Sequence, residues 1–338
     1  MSNRVFVISE IGINGNGNIP LTKILIRGSK EAGCDAVKFQ KRIIEETYTE
    51  EFLNSERKDN NPYNWVTQKQ QKEGLEYSFE DFQEIDSYCR SLQIPWFASS
   101  WSVTAQLFLR QFNLKYNKVA SAMITNIPLM HTIAEEGRHT FISTGMANFE
   151  EIQTVVDIFR KYNCSFEILH CNSSYPAKNE NASLPIIDIL REKFKVNVGY
   201  SSHEQGRVVA LGAVARGATS IEKHASFNRD EKSYEEIKEH LVKSKVKEFN
   251  PLTNNYDEVI KLLPYGSDQW ASITLDEMKK LVIDIRQMEK ALNLNVLRVL
   301  SEEELKSGVN FVAKTDADYY SSFDDISKHE LDISPEEG

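Results

Sequence analysis

The sequence predicts a parallel (β/α)8 barrel, and three observations support that prediction. Eight short, mostly apolar runs alternate along the chain with eight amphipathic segments, which is the order of elements in a barrel whose strands are each followed by a helix. Runs of this composition are expected of strands that are covered on both faces. An open doubly wound sheet is the alternative, but no GxGxxG motif follows the first run.

The elements follow one another in a regular order. The predicted strands cover residues 5–9, 36–39, 95–98, 118–120, 140–142, 166–170, 196–200 and 220–223. Each is a short apolar run without the helical spacing of its neighbours. The predicted helices, in which apolar residues recur at helical spacing, cover residues 21–31, 79–92, 104–112, 129–136, 149–162, 185–193, 207–216 and 275–292.

Two polar stretches interrupt this order. Residues 43–74 are rich in Glu, Asn and Gln and predict a long loop after the second strand. Residues 226–265 are highly charged, with one helix-like piece at 234–248, and form an insertion between the eighth strand and its helix. Both stretches follow the carboxyl ends of strands, where barrels build their active sites. We predict a barrel domain over residues 1–295 that includes this insertion, followed by an acidic tail at 296–338.

Composition limits the class of protein. The chain has 338 residues, 41% of them hydrophobic, so it can bury a core without a disulfide or a structural zinc ion. Its net charge of −10 argues against a general nucleic-acid binder but not against an anionic small substrate. No apolar run approaches about 18 residues, so we expect no membrane span, and we see no signal peptide. The four cysteines form no CxxC pair, which favours reduced thiols in a cytoplasmic protein.

Polar residues gather at the carboxyl end of every predicted strand. They are Glu10, Asn14, Lys38, Gln40, Ser99, Ser100, Lys118, Ser121, Ser143, Thr144, His170, Asn172, Ser174, Tyr175, Ser201, His203, Glu222 and His224. Each has an ordinary explanation by itself, such as a solvated lysine at the rim, a turn around Asn14 or a helix cap at Ser143. Their coincidence at one mouth of a barrel favours a functional site.

The residue types at this mouth indicate two kinds of ligand. Lys38 and Lys118, with the hydroxyl and amide donors around them, predict a site for an anion such as a phosphate. His203 and His224 end neighbouring strands, so that both imidazoles can approach one metal ion. Two His ligands completed by oxygen ligands suit Mn²⁺, Fe²⁺, Co²⁺ or Zn²⁺.

Eight segments, in order along the chain from about Phe6 to Leu292, resemble the sialic acid synthase family. This family comprises the N-acetylneuraminate synthases and their legionaminic and pseudaminic acid relatives. The segments are ISEIGINGNGN, AGCDAVKFQ, NKVASAMITNIPLM, ISTGMANFEEI, ILHCNSSYPAKNENASL, VGYSSHEQG, GATSIEKH and GSDQWASITLDEMKKLVIDIR. Their order along the chain is more specific than any single segment.

The resemblance implies a TIM-barrel transferase that condenses phosphoenolpyruvate with an open-chain N-acyl-hexosamine and releases phosphate. It also implies a homodimer and a divalent metal, most often Mn²⁺, with Mg²⁺ or Co²⁺ as alternatives. By position, the metal ligands are His203 and His224. The implied catalytic residues are Glu10, Lys38, Lys118 and Asp268. The implied substrate-binding residues are Asn14, Gln40, Ser100, Ser121, Ser143, Asn172, Tyr175, Ser201 and Glu222.

The sequence departs from the family pattern at three places. The family usually adds a C-terminal antifreeze-like domain that reaches the partner's site, and we expect none in the tail after Leu292. Ala122 and Met123 stand where the family usually has Gly and a Glu that contacts the sugar. Gly15 stands where the family commonly has His. Because the predicted phosphate and metal groups are present whereas sugar-side features differ, we expect an active synthase with an altered acceptor.

Two other functions remain open from the residues alone. A buried strand lysine can form a Schiff base, so Lys118 could serve an aldolase or lyase. A barrel without the usual second domain could also be a non-catalytic scaffold or regulatory protein. The two histidines and two lysines at one mouth argue against a scaffold, because a scaffold has no physical need for them.

Overall fold

The computed structural model describes residues 4–57, 65–226 and 267–292, which fall within one unit, Met1–Leu292. Eight parallel strands pair in chain order, and the first also pairs with the eighth, so the sheet closes on itself. These strands are β1 (Phe6–Glu10), β2 (Ala36–Lys41), β3 (Trp96–Ser100), β4 (Tyr116–Val119), β5 (His139–Ser143), β6 (Phe166–Cys171), β7 (Val198–Ser202) and β8 (Ser220–Ser226). The predicted (β/α)8 barrel is therefore confirmed.

Helices follow the strands and cover the outside of the barrel. They are α1 (Ile19–Glu31), α2 (Ile44–Thr47), α3 (Glu50–Asn54), α4 (Gln68–Leu75), α5 (Phe79–Ser91), α6 (Val103–Leu109), α7 (Ile127–Ala134), α8 (Phe149–Lys161), α9 (Ile186–Phe194), α10 (Val208–Ala215), α11 (Ser267–Trp270) and α12 (Leu275–Ala291). Side chains cap the first turns of several, including Asn18 before α1 and Ser78 before α5. No helix of the described ranges is long and apolar enough to cross a membrane.

The interior of the barrel has an apolar layer beneath a polar one. The apolar layer consists of Ile8, Ala36, Phe97, Phe141 and Leu169, which form a buried cluster separate from the core under the helices. Side chains two residues apart on a strand point to the same face. Two residues further along each of these strands the inward side chains are polar: Glu10, Lys38, Ser99, Ser143 and Cys171. The strand period therefore brings the polar residues together just above an apolar floor.

The prediction of a loop over residues 43–74 is wrong where the structure describes this stretch. It contains the helices α2, α3 and α4. Thr49 caps α3, and Thr67 forms a capping box with Gln70 at the start of α4. The helices are short and bury only Ile44, Leu53, Gln71 and Leu75, so their mostly polar composition resembled that of a loop.

A short ninth strand extends the mouth of the barrel beside β8. This strand, β9 (Ile273–Thr274), pairs in parallel with Ala225 and Ser226. It precedes α12 and holds α11, which carries Asp268, next to the end of β8. The predicted helical piece at 234–248, most of the insertion and the tail lie outside the described residues.

Candidate active site

The polar layer lines a cavity of about 140 Å³ at the C-terminal mouth of the barrel. Most of the residues that were predicted as site residues from the sequence meet there. The cavity is lined by Glu10, Lys38, Gln40, Lys118, Ser121, Ser143, Tyr175, Ser201, His203, Glu222 and His224. They come from six strands, β1, β2, β4, β5, β7 and β8, and from the turns after β4, β6 and β7, which is why no short sequence motif contains them.

Two lysines and two glutamates form the charged base of the cavity. The Lys38 Nζ lies 2.8 Å from Glu10 Oε2 and 3.8 Å from Glu222 Oε1. Lys118 Nζ lies 3.9 Å from the same Glu222 oxygen. All four side chains are at most 5% exposed. Burial of an isolated charge is strongly unfavourable, and the contacts between these lysines and carboxylates offset part of that cost.

The two carboxyl groups differ in their affinity for a proton. Burial, together with the nearby Glu222, raises the pKa of Glu10 to about 7, although Lys38 opposes the rise. Burial acts on Glu222 as well, but Lys118 and Lys38 outweigh it and lower its pKa. We conclude that Glu222 is the permanent anion, whereas Glu10 gains or loses a proton near neutral pH.

Burial also separates the two lysines. It lowers the pKa of Lys118, and the neighbouring Lys38 adds to this effect. For Lys38 the effect of burial is outweighed by Glu10 and Glu222, which raise its pKa. Lys38 is therefore a firmly held cation, and Lys118 is the lysine that gives up its proton more readily.

Hydroxyl groups of neighbouring strands surround the lysines. Lys118 Nζ donates to Ser143 Oγ at 2.5 Å and to the Val119 carbonyl at 3.0 Å. Lys38 Nζ donates to Ser99 Oγ at 3.1 Å, and Ser201 Oγ donates to Glu222 Oε1 at 3.0 Å. Ammonium and hydroxyl groups in this arrangement can donate to several oxygens of one anion.

The two histidines lie side by side at the rim, with ring centroids 5.5 Å apart. His203 Nδ1 donates to the Asn172 carbonyl at 2.5 Å, which leaves Nε2 as the nitrogen with a lone pair. His224 Nδ1 is buried and has no hydrogen-bond partner among the described residues. Burial lowers the pKa of His203 and holds that of His224 well below its usual range. Both rings are therefore neutral, which is the form that binds a metal ion.

These two rings fit a divalent metal as a partial ligand set. His224 has a buried ring nitrogen without a hydrogen-bond partner among the described residues, and the His203 ring is fixed through its Nδ1. Both features are expected of metal ligands. In the described part of the chain, no three His, Cys, Asp or Glu side chains are grouped so that they could hold an ion. A metal held by His203 and His224 would thus take its other ligands from water or from a substrate.

Four of the site residues implied by the resemblance do not line the cavity. Asn14 Nδ2 donates to the Ala225 carbonyl at 2.8 Å and to Ser272 Oγ at 2.9 Å, so it joins the first turn to the end of β8. Asn172 contributes its carbonyl to His203. Asp268 lies beside the rim, with its Oδ2 3.8 Å from His224 Nδ1.

The fourth of these residues, Ser100, lies outside the cavity because successive side chains of a strand point to opposite faces. Phe97 belongs to the apolar layer inside the barrel, so Ser99 points inward and Ser100 points outward. The cavity is accordingly lined by Ser99. The alternation from Phe97 was a signal in the sequence that could have identified Ser99.

Further lining residues were missed because their side chains carry no obvious chemical signal. They are Trp101, Ala120, Ala122, Met146 and Ser173. Trp101 and Met146 form apolar walls, and only the folded loops place them at the mouth.

Two departures from the family pattern have a structural explanation here. Ala122 lines the cavity, whereas Met123 packs against the core outside the barrel. At Gly15, a Cβ atom would lie 2.0 Å from the Tyr77 hydroxyl and 2.3 Å from Thr22 Oγ1. Those two hydroxyls are hydrogen-bonded to each other at 2.6 Å. They fill the space, so this backbone position accepts no side chain.

Comparisons with known proteins agree with this architecture. Residues 25–265 match the model of the NeuB family. The chain is 31% identical to the N-acetylneuraminate-9-phosphate synthase of Mus musculus over 314 residues, which cover 91% of this chain and 78% of that protein. It is 32% identical to the N,N'-diacetyllegionaminic acid synthase of Legionella pneumophila over 292 residues, 85% of this chain and 73% of that one.

A solved structure is similar over almost the whole chain. It is the N-acetylneuraminic acid (sialic acid) synthetase of Leptospira borgpetersenii serovar Hardjo-bovis, crystallised in complex with citrate. The two chains are 28% identical and superpose with a TM-score of 0.71, over 92% of this chain and 93% of the other. The expected resemblance is confirmed: this chain belongs to the NeuB family of sialic acid synthase-like transferases.

Proposed function

We propose that this protein condenses phosphoenolpyruvate with an open-chain sugar aldehyde and releases phosphate. The product would be a nonulosonic acid or a related 2-keto-3-deoxy sugar acid. The relatives are named as synthases of sialic, legionaminic and pseudaminic acids. The observation that carries the proposal is the single cavity in which Lys38 and Lys118 lie beside two neutral imidazoles, His203 and His224.

Phosphoenolpyruvate would bind at the base of the cavity. Its phosphate and carboxylate groups need cationic and hydroxyl donors, and Lys118 with Ser143 and Ser201 offers them from three strands. The site is neutral without substrate because Glu10 and Glu222 balance the lysines.

The same cavity offers a place for a divalent cation, with Mn²⁺ the first choice and Mg²⁺ or Co²⁺ as alternatives. His203 and His224 would hold it. When bound, such an ion supplies Lewis-acid polarisation of the aldehyde oxygen of the acceptor. Asp268, 3.8 Å from His224 Nδ1, would orient that ring or contact the sugar.

The side chains of the cavity supply positioning and proton transfer. In the proposed reaction, the enol carbon of phosphoenolpyruvate bonds to the aldehyde carbon as the carbonyl π bond opens. Water adds to the carbon that bears the phosphate, and Glu10, whose pKa suits a general base at neutral pH, takes one proton from it. That proton ends on the former aldehyde oxygen, which becomes a hydroxyl group. The bond from the phosphate-bearing carbon to the phosphate oxygen then breaks, the second proton of the water leaves with the phosphate, and the 2-keto group remains.

Phosphate release tests the proposal directly. Purified protein is incubated with phosphoenolpyruvate and Mn²⁺ and with a panel of hexosamines, hexoses and pentoses, both free and phosphorylated. We expect phosphate release that depends on one class of aldehyde and stops when a chelator is added. Absence of release with every aldehyde would exclude the proposed function.

The lowered pKa of Lys118 favours one alternative. Burial makes this amine easier to deprotonate, as a Schiff-base lysine of an aldolase or lyase requires. The Lys118 amine would then form an imine with pyruvate, with loss of water, and borohydride reduction of that imine would leave a 1-carboxyethyl group on Lys118. Inactivation by a chelator without such an adduct distinguishes the metal-assisted synthase.

We also propose a homodimer in the cytoplasm. All four cysteines are buried free thiols, which suits a reducing compartment. Sedimentation equilibrium of the full chain measures the oligomeric state, and a monomer at micromolar concentration would contradict the dimer.

A further inference from the structure

Arg42 lies directly after β2, two residues from Gln40, which the resemblance to the family places near the sugar. Its Nη1 donates to Glu76 Oε1 at 3.3 Å, and its backbone N–H donates to Glu76 Oε2 at 3.1 Å. Its Nη2 donates to Gln40 Oε1. The guanidinium carbon lies 4.4 Å from the ring centroid of Trp101, a wall of the cavity. A single side chain therefore contacts two groups that line the site.

These contacts fix the orientation of the Gln40 amide. Because Gln40 Oε1 accepts from Arg42, its Nε2 faces the other way and donates to Glu10 Oε1 at 2.9 Å. A flipped amide would turn its NH₂ group towards the guanidinium and its oxygen towards the carboxylate, and both contacts would be lost. Glu76, Arg42, Gln40 and Glu10 thus form a continuous chain of hydrogen bonds from the loop to the base of the cavity.

The outer end of this chain is held by the loop that follows β2. Glu76 is the C-cap residue of α4, and its backbone N–H donates to the Glu73 carbonyl. The side chains of Arg42 and Glu76 are only 10% and 12% exposed. A buried guanidinium–carboxylate pair is more rigid and less screened by salt than a surface pair. The loop therefore has a firm attachment to the cavity wall.

We propose that Arg42 is a positioning residue for the acceptor. It holds the Gln40 amide and the Trp101 ring in place and, through Gln40, orients the carboxylate of Glu10. That the acceptor is a sugar aldehyde rests on the proposed function. The contacts of Arg42 with Gln40, Glu76 and Trp101 do not depend on that function.

Arginine is suited to this position by its shape. Its planar fork can donate to Glu76 and Gln40 in two directions while its face stacks on Trp101. A lysine carries the same charge, but as a point charge it cannot make all three contacts together. Arg42→Lys should therefore lower kcat/KM for the acceptor almost as much as Arg42→Met does.

The kinetic test is a double-mutant cycle with Arg42→Met, Gln40→Met and the double variant. Each single substitution should lower kcat/KM for the acceptor roughly 10- to 100-fold, as for loss of a hydrogen bond to a charged group. The KM for phosphoenolpyruvate should change less than about twofold. If Arg42 acts through Gln40, the double variant should be within about threefold of either single variant. Two results would overturn the proposal. One is a double variant whose loss of acceptor kcat/KM equals the product of the two single losses, and the other is a rise in the KM for phosphoenolpyruvate as large as the loss for the acceptor.

Arg27→Met is a matched control. Arg27 Nε donates to the Tyr88 hydroxyl at 2.9 Å, and the guanidinium lies 6.0 Å from that ring, on the outer side of the barrel. This variant loses a stacked and hydrogen-bonded arginine as well, but it should leave acceptor kinetics unchanged. An equal loss of acceptor kcat/KM in Arg27→Met would mean that the effect of Arg42→Met is general.

A measurement without turnover separates this inference from the proposed function. The side-chain NH₂ signal of Gln40 can be assigned in the NMR spectrum by its absence in Gln40→Met. It should be protected from exchange in the wild type and exposed in Arg42→Met. Unchanged protection would refute the positioning role even if the protein proved active. Lost protection would support the role even if no acceptor were turned over.

Discussion

The sharpest prediction concerns Glu10→Gln and the dependence of stability on pH. Glutamine has nearly the shape of a protonated glutamate, so the variant imitates the wild type with Glu10 neutral. In the folded protein the pKa of Glu10 is raised from its ordinary 4.5 to about 7, chiefly by burial. Between these two pH values the folded state binds a proton that the unfolded state has released. The free energy of unfolding therefore falls as pH rises through this interval.

The size of the effect follows from that interval. At about 1.4 kcal/mol for each pH unit, the rise from 4.5 to about 7 corresponds to about 3 kcal/mol. We expect Glu10→Gln and the wild type to have similar free energies of unfolding near pH 4.5. At pH 8 the variant should be more stable by about 3 kcal/mol, because it does not bury a second carboxylate beside Glu222.

Urea unfolding of both proteins at pH 4.5 and pH 8 measures this difference. Glu84→Gln is the control, since Glu84 is a solvent-exposed glutamate that pairs with Lys23. Its effect should be small at both pH values. A difference between wild type and Glu10→Gln that is the same at pH 4.5 and pH 8 would refute the reasoning, because it would show that burial does not raise the pKa of Glu10.

Three further substitutions test the other parts of the site. His224→Ala should abolish the dependence of phosphate release on Mn²⁺ and most of the turnover, with the melting temperature little changed; full metal-dependent turnover would contradict its assignment as a ligand. Lys118→Met should raise the KM for phosphoenolpyruvate roughly 10- to 100-fold, and an unchanged KM would exclude Lys118 as an anion ligand. Outside the cavity, Lys223→Met removes a buried amine that donates to Ser202 Oγ at 3.1 Å and to the Glu204 carbonyl; loss of hydrogen bonds from a charged donor should lower the free energy of unfolding by about 2 kcal/mol, which urea unfolding would measure.

The barrel and most of its lining could be predicted because strand geometry repeats. A strand that places Ala36 inward also places Lys38 inward, and closure of the sheet brings every such position to the same mouth. To choose between Ser99 and Ser100, one must know which residues of β3 point into the barrel. The apolar Phe97, two residues before Ser99, could have indicated this.

The contacts made by Arg42 could not be predicted in this way. They depend on where the loop after β2 returns to the barrel, and that stretch is polar, with little periodicity for a sequence pattern to reveal. The helices α3 and α4 were missed for the same reason, since their start signals are only Thr49 and the pair Thr67 and Gln70. A pattern reveals what is repeated, whereas these features each occur once.

The apolar layer under the cavity affects the order of events. Ile8, Phe97 and Leu169 are almost fully buried and block the barrel below the lysines. A molecule that reaches Lys118 therefore enters from the mouth, where the histidines lie. The ligand that binds deepest has to enter first and is released last, so we expect substrates to bind in a fixed order. We expect product inhibition to show phosphoenolpyruvate as the first substrate and phosphate as the last product.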